Sequence, residues 1–107
     1  MSELERIASV PGVRSAVLGD LGGAFLGAAR EPDGETVAAV MGFLANALLQ
    51  VGEQLGLGAL RRVVIANEAR ACVVAVRGTA VTAARVEPPG ALATVEKVLD
   101  STLQGRG

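Results

Sequence analysis

Between Glu35 and Glu53 the chain carries no charge. The 17 residues from Thr36 to Gly52, TVAAVMGFLANALLQVG, are apolar, small or neutral polar. That length is at the lower limit for a helix that spans a bilayer, about 17–25 residues. Asn46, Gln50, two glycines, four alanines and the close acidic flanks argue instead for a helix buried on two sides within protein. The helix is expected from Glu35 to about Leu55, with Glu35 at the end where the helix dipole favours an acid. Val37, Met41, Leu44, Leu48, Val51 and Leu55 recur at spacings of four and three and form the stripe expected to cover a sheet. The opposite side carries Ala39, Gly42, Asn46, Gln50 and Glu53, edged by Phe43 and Leu49. Its small residues would let a second helix approach closely, and this back face is the one expected to meet another chain.

The flanking segments supply the sheet. Ser2 and Glu5 have the spacing of a capping box, so a short helix is expected to about Ser9. Pro11 and Gly12 stop it. "VRSAVLG" reads as a strand, "DLGG" as a hairpin turn and "AFLGAAR" as the returning strand. "EPDGE" is an acidic loop into the long helix. After that helix come three strand candidates with only short turns between them, "LRRVVIA", "ARACVVAVRG" and "TAVTAARVE". "PPG" ends this meander. A last helix, about Ala91 to Gln104, packs Leu92, Val95, Val98 or Leu99, and Leu103, and the tail Gln104–Gly107 is expected to fray. The order α-β-β-α-β-β-β-α implies an α+β domain with one five-stranded antiparallel sheet and helices on both faces. The 107 residues are enough for one domain and too few for two, with an ordered core of about residues 3–104.

Several chemistries are excluded by composition. With no His, imidazole catalysis and His-ligated metal sites cannot be built. The four serines lack the strand–turn–helix setting of a nucleophile elbow. Cys72, the lone cysteine, sits in "ACVVAV" and reads as a small buried hydrophobe rather than a reactive thiol. Glu31, Asp33 and Glu35 lie close together but are expected to solvate the helix start. Neither a cofactor nor a metal is implied. A net charge of −1, a pI of about 5.4 and only two aromatic residues, Phe25 and Phe43, argue against nucleic-acid binding. The polar, acidic start "MSELERIAS" shows no signal peptide, so a cytoplasmic protein is the expectation.

"GEQLGLGALRRVVIA", Gly52 to Ala66, raises the question of a phosphate loop. Such loops run strand, glycines, helix, and present a helix N-terminus to the anion. Here the helix precedes the glycines and a strand follows, which offers the wrong end of the dipole. Gly56 therefore reads as a helix C-cap and Gly58 as turn flexibility. The arginines that follow are a separate signal. From Leu60 to Val86 there are five, Arg61, Arg62, Arg70, Arg77 and Arg85, against one acid, Glu68. They fit either solvated strand charge that protects an exposed edge or a patch for an acidic partner, with Arg61, Arg62, Arg70 and Arg77 as its candidates.

The string "VPGVRSAVLGDLGGAFLGAA", followed by a long apolar helix and "GEQLGLGALRRVVIANEARACVVAV", resembles the roadblock family, that of dynein light chains and bacterial gliding-motility regulators. The "PGV" turn at Pro11–Val13 with its "DLGG" hairpin, and the Gly-Leu-Gly junction at Gly56–Gly58, carry the resemblance. It spans about Leu4 to Leu103. It implies a homodimer or a heterodimer of related chains in which the strand after the long helix pairs with its copy across a two-fold axis, giving a continuous ten-stranded sheet. The long helices would then pack side by side. On this chain the implied interface is Leu60, Arg61, Arg62, Val63, Val64 and Ile65 on the strand, with Ala39, Gly42, Phe43, Asn46 and Gln50 on the helix. Pairing would also remove the aggregation hazard of an open Val-Val-Ile edge.

The resemblance further implies a partner. Bacterial members regulate Ras-like small GTPases, and some accelerate hydrolysis by repositioning the GTPase's own residues. The Ala-, Gly- and Arg-rich composition with a single lysine suits a bacterial source. The leading expectation is a non-enzymatic dimeric regulator or scaffold for a small GTPase. The alternative is a structural adaptor light chain indifferent to nucleotide state. A small enzyme or ligand sensor comes third.

Overall fold

The computed structural model describes residues 3–58, 61–87 and 89–104, with side-chain placement for all of these but 89 and 100–104. Ser2, Leu60, Pro88 and the last three residues of the tail, to which expectations were attached, lie outside the described residues, as does the side chain of Leu103. The elements follow in the order α1 (Glu3–Ala8), β1 (Val13–Asp20), β2 (Phe25–Ala29), α2 (Gly34–Gln54), β3 (Arg62–Ala66), β4 (Ala71–Arg77), β5 (Ala80–Val86) and α3 (Leu92–Gln104), with a 3₁₀ turn at Pro89–Ala91 before α3. The expected α-β-β-α-β-β-β-α order is observed, with strand ends within two residues of those read from the sequence.

The five strands form one antiparallel sheet in the order β2-β1-β5-β4-β3. The β1–β2 hairpin and the β3–β4–β5 meander are joined through β1 and β5, where Val17 faces Ala83 and Gly19 faces Val81. In β5, Thr82, Ala84 and Val86 point to one face, and Val81, Ala83 and Arg85 to the other. The first face packs on α1 and α3 through Ile7, Val13, Ala16, Val73, Ala84, Val86, Val95 and Leu99. The second packs on α2 through Val17, Val37, Ala38, Ala45, Val74, Val81 and Ala83. Neither aromatic ring enters this core: Phe25 is 41% exposed and Phe43 is 78% exposed.

The helix α2 is turned from its expected orientation. Its buried residues are Gly34, Val37, Ala38, Gly42 and Ala45. The face toward the sheet is therefore mostly small; of the expected stripe Val37 and Met41 pack there, while the other large apolar side chains lie on its flank and outside. Val51 and Leu55, expected to cover the sheet, are 47% and 67% exposed. Gly42, expected on a face toward another chain, is buried against its own chain. A Cβ added there would stand 2.8 Å from Gly23 Cα and 2.9 Å from the Asp20 carbonyl oxygen. Asn46 donates to the carbonyl of Leu21 in the same turn, and to Gly42 O at 3.3 Å. The rotation is about a quarter turn of the helix. Its cause is distance: a helix with glycine and alanine toward the sheet and hairpin sits closer, and closer packing recovers dispersion contacts that larger residues would hold apart.

At the other end of α2 the glycine question has a structural answer. Gly56 has φ of +71°, its N–H donates to Glu53 O at 3.1 Å, and the N–H of Leu57 donates to Gly52 O at 2.8 Å. This is the Schellman arrangement, which satisfies the carbonyls a helix leaves open at its C-terminus. The glycine run is a helix stop.

The packing of Gly42 makes a prediction. Replacing it by Val forces α2 off the β1–β2 turn, whose backbone cannot yield as a side chain would. Gly42→Val is expected to lower the unfolding free energy by roughly 2–3 kcal/mol in urea denaturation. An unchanged midpoint would show that α2 does not approach the turn this closely.

Candidate interaction surface

The strands β2 and β3 are the two edges of the sheet, and β3 is the one farther from α2, which contacts β1, β5 and β2 most. Strand β3 pairs only with β4, Arg62 opposite Ala75 and Ile65 opposite Cys72. Residues opposite one another share a face. Val63 and Ile65 therefore point to the α2 face, and Arg62 and Val64 to the α1–α3 face. Val64 is 43% and Ile65 48% exposed. Arg62 is held by Glu96 of α3 at 3.6 Å. The five-residue β3 thus keeps one row of backbone N–H and C=O groups unpaired by any other described strand.

Beside this edge lies the open part of α2. Ala39, Gly42 and Asn46 sit toward the β1–β2 turn. Helical geometry then puts Leu44, Leu48, Val51 and Leu55 on the opposite flank, toward β4 and β3. Val40 and Phe43 point outward, away from the sheet, and Gln50 is exposed. Among the described residues α2 is the one helix long and apolar enough to cross a membrane, and 28% of its most apolar window is buried. Much of an apolar helix is left uncovered. The residues singled out from the sequence are accordingly divided: Val63, Val64 and Ile65 lie on the open edge, Phe43 and Gln50 on the outer face, and Ala39, Gly42 and Asn46 on the far flank.

The arginines are divided as well. Arg61, Arg62 and Arg77 gather at one end of the β3–β4 pair, where Val76 N–H donates to Arg61 O at 2.8 Å. Arg70 is at the other end of the seven-residue β4 and pairs with Glu87 at 3.6 Å. The four do not form one patch.

A cluster that sequence reasoning missed lies at that second end. Arg85 reaches Glu31 at 3.2 Å, and Ser15 Oγ donates to the same carboxylate at 3.2 Å. The Glu31 side chain is only 4% exposed, so this acid does not merely solvate the helix start. It ties the β2–α2 loop to β1 and β5. Nothing in the local sequence signals it, because its partners are 16 residues and more away. Next to it is a cavity of about 530 Å³ lined by Arg14, Ile65, Asn67, Arg70, Cys72 and Arg85, among others. Cys72 is half-buried on its floor. Burial pushes the thiol pKa up, and nearby Arg85 opposes this only in part.

The fold has close counterparts of known structure. A roadblock/LC7 domain from Streptomyces avermitilis superposes with a TM-score of 0.83 at 20% identity, over 94% of this chain and 88% of that one. MglB of Myxococcus xanthus gives 0.85 at 12% identity, over 94% and 85%. The gliding protein MglB of Thermus thermophilus gives 0.81 at 21% identity, over 94% and 79%. This chain has the roadblock/LC7 fold. No family model matches the sequence, and no curated protein is a significant match. At 12–21% identity these superpositions show the fold.

The raised thiol pKa yields a second prediction. Only the thiolate is nucleophilic. Cys72 is expected to react with iodoacetamide at pH 8 at least about fivefold more slowly than free glutathione, with the gap narrowing as pH rises. A rate equal to that of the free thiol would show that Cys72 is not desolvated.

Proposed function

We propose that this chain is a homodimeric regulator or scaffold that binds a Ras-like small GTPase and contributes no catalytic residue of its own. The observation that carries the reading is the coincidence of two incomplete surfaces. The unpaired edge of β3 and the apolar flank of α2 open on the same side of the sheet. A two-fold axis through Val64 would join β3 to its copy, extend the sheet to ten strands and bring the two Leu44–Leu55 flanks together above it. One operation thus covers both surfaces. The helix contact in this proposal is Leu44, Leu48, Val51 and Leu55, in place of the Ala39–Gly42–Asn46 flank.

After dimerisation Val40, Phe43 and Ala47 of both helices would still face outward. Together they make an apolar strip with a two-fold repeat, suited to a partner surface rather than to a small substrate. The structural likeness to MglB gliding proteins and the sequence resemblance to GTPase regulators support a small GTPase as that partner.

Two experiments test this reading. Val64→Asp and Val51→Asp each place an unpaired charge in the proposed interface. Both are expected to convert a sedimenting dimer to monomer or aggregate, and a dimer unchanged by both would exclude the interface. Separately, the immobilised protein is expected to retain a small GTPase from cytosol with a GTP analogue and not with GDP. A partner retained equally with either nucleotide, or a large assembly without a GTPase, would favour the structural-adaptor role.

A further inference from the structure

We infer that the cavity at the Arg70 end of the sheet binds a small organic oxyanion, a phosphate monoester or carboxylate with an apolar body, and that Arg61 of a second copy completes the site. The second half of this inference rests on the dimer proposed above.

The site exists because α2 is seated over β1, β2 and β5 and leaves the ends of β4 and β5 uncovered. Ladder register puts Cys72, Arg85 and Ile65 on one face of the sheet, the α2 face, because Cys72 lies opposite both Arg85 and Ile65; Arg70, just before β4, lines the same cavity. Arg14 joins them from the irregularity in β1 between Val13 and Ser15. The cavity volume of about 530 Å³ falls within the roughly 300–1,000 Å³ of small-molecule sites. It is far larger than one carboxylate side chain needs. Ile65 and Cys72 line it from the sheet, and Arg14, Arg70 and Arg85 line it together with one acid, Glu87.

The charge balance favours an anion. Arg70 and Arg85 have partners in Glu87 and Glu31, at 3.6 and 3.2 Å. Both distances exceed the ~2.7–2.9 Å of a strong charge-assisted bond, and the two arginine side chains are 77% and 56% exposed. A guanidinium has five N–H donors, and these contacts occupy few of them. Arg14 has no ion-pair partner among the described residues. The thiol on the floor stays protonated and adds no negative charge. Planar guanidinium forks suit phosphoryl and carboxylate groups alike.

The second copy supplies the remaining charge. With Val64 opposite its own symmetry mate, Ile65 lies opposite Val63, and Asn67 opposite Arg61. Arg61 shares the α2 face with Val63 and Ile65 by strand alternation. Its side chain has no ion-pair partner among the described residues. It would enter the rim of the cavity beside Asn67.

The test is an NMR titration of the intact chain with phenyl phosphate, phenylacetate and uncharged benzyl alcohol, following the amides of Ile65, Asn67 and Cys72 and the arginine Nε–H signals. Saturable shifts at these positions with either oxyanion, and none with the alcohol, are expected; which oxyanion binds more tightly identifies the head group. Arg14→Gln is expected to weaken binding by at least about tenfold, as for loss of one charge-assisted hydrogen bond. Arg14 is exposed and can be replaced without disturbing the core. No saturable shift with either oxyanion, equal response to the alcohol, or binding indifferent to Arg14→Gln would overturn the site. Sedimentation of the same samples separates the two readings. A dimer whose affinity is unchanged by Arg61→Gln removes the second-copy contribution, whereas a monomer refutes the dimer itself.

Discussion

The contact between Gly42 and the β1–β2 turn governs the rest of the molecule. It sets the height of α2 above the sheet and its rotation about its own axis. That rotation sends Gly34, Ala38 and Ala45 inward, holds Asn46 against Leu21, and leaves Leu44, Leu48, Val51 and Leu55 over the β3 side. A larger residue at position 42 would lift the helix and change which side chains it presents. The core tolerates this close seating because its largest fully buried side chains are Ile7, Leu99 and four valines, with no ring to hold the layers apart.

Two features follow from that seating. An apolar flank is left next to an unpaired strand edge, the combination on which the dimer reading depends. The sheet is also left uncovered near Cys72 and Arg85, where the arginine-rimmed cavity opens. Surface and cavity have one origin: a helix placed to one side of a five-stranded sheet rather than across its middle.

The sequence announces its elements more clearly than their orientations. "DLGG" and Gly56 mark a chain reversal and a helix end by local backbone rules, and they read correctly because nothing distant is involved. Strand alternation in β4 and β5 is blurred, since both faces are covered along most of their length and Val and Ala fill each. The rotation of α2 is misread by hydrophobicity alone. Periodicity ranks leucine above glycine as an inward residue, but close packing selects by size. Glu31 is misjudged for a different reason: it stands in an acidic loop, and its burial depends on Arg85, more than fifty residues further along. The arginines were countable, but only strand register shows that Arg70 and Arg77 lie at opposite ends of β4.

The pairing of β1 with β5 bears on how the molecule is made. Strands formed by residues 13–20 and 80–86 lie side by side at the centre of the sheet. The first hairpin and α2 therefore leave the ribosome well before the strand that completes their platform. During that interval α2 has only two of the five strands to rest on, and its leucines and valines are open to any apolar surface nearby. Such long sequence separation slows folding, because a large loop must close before its contacts stabilise it. The nascent chain is thus most exposed to misassembly in the stretch of synthesis between Gln54 and Val86.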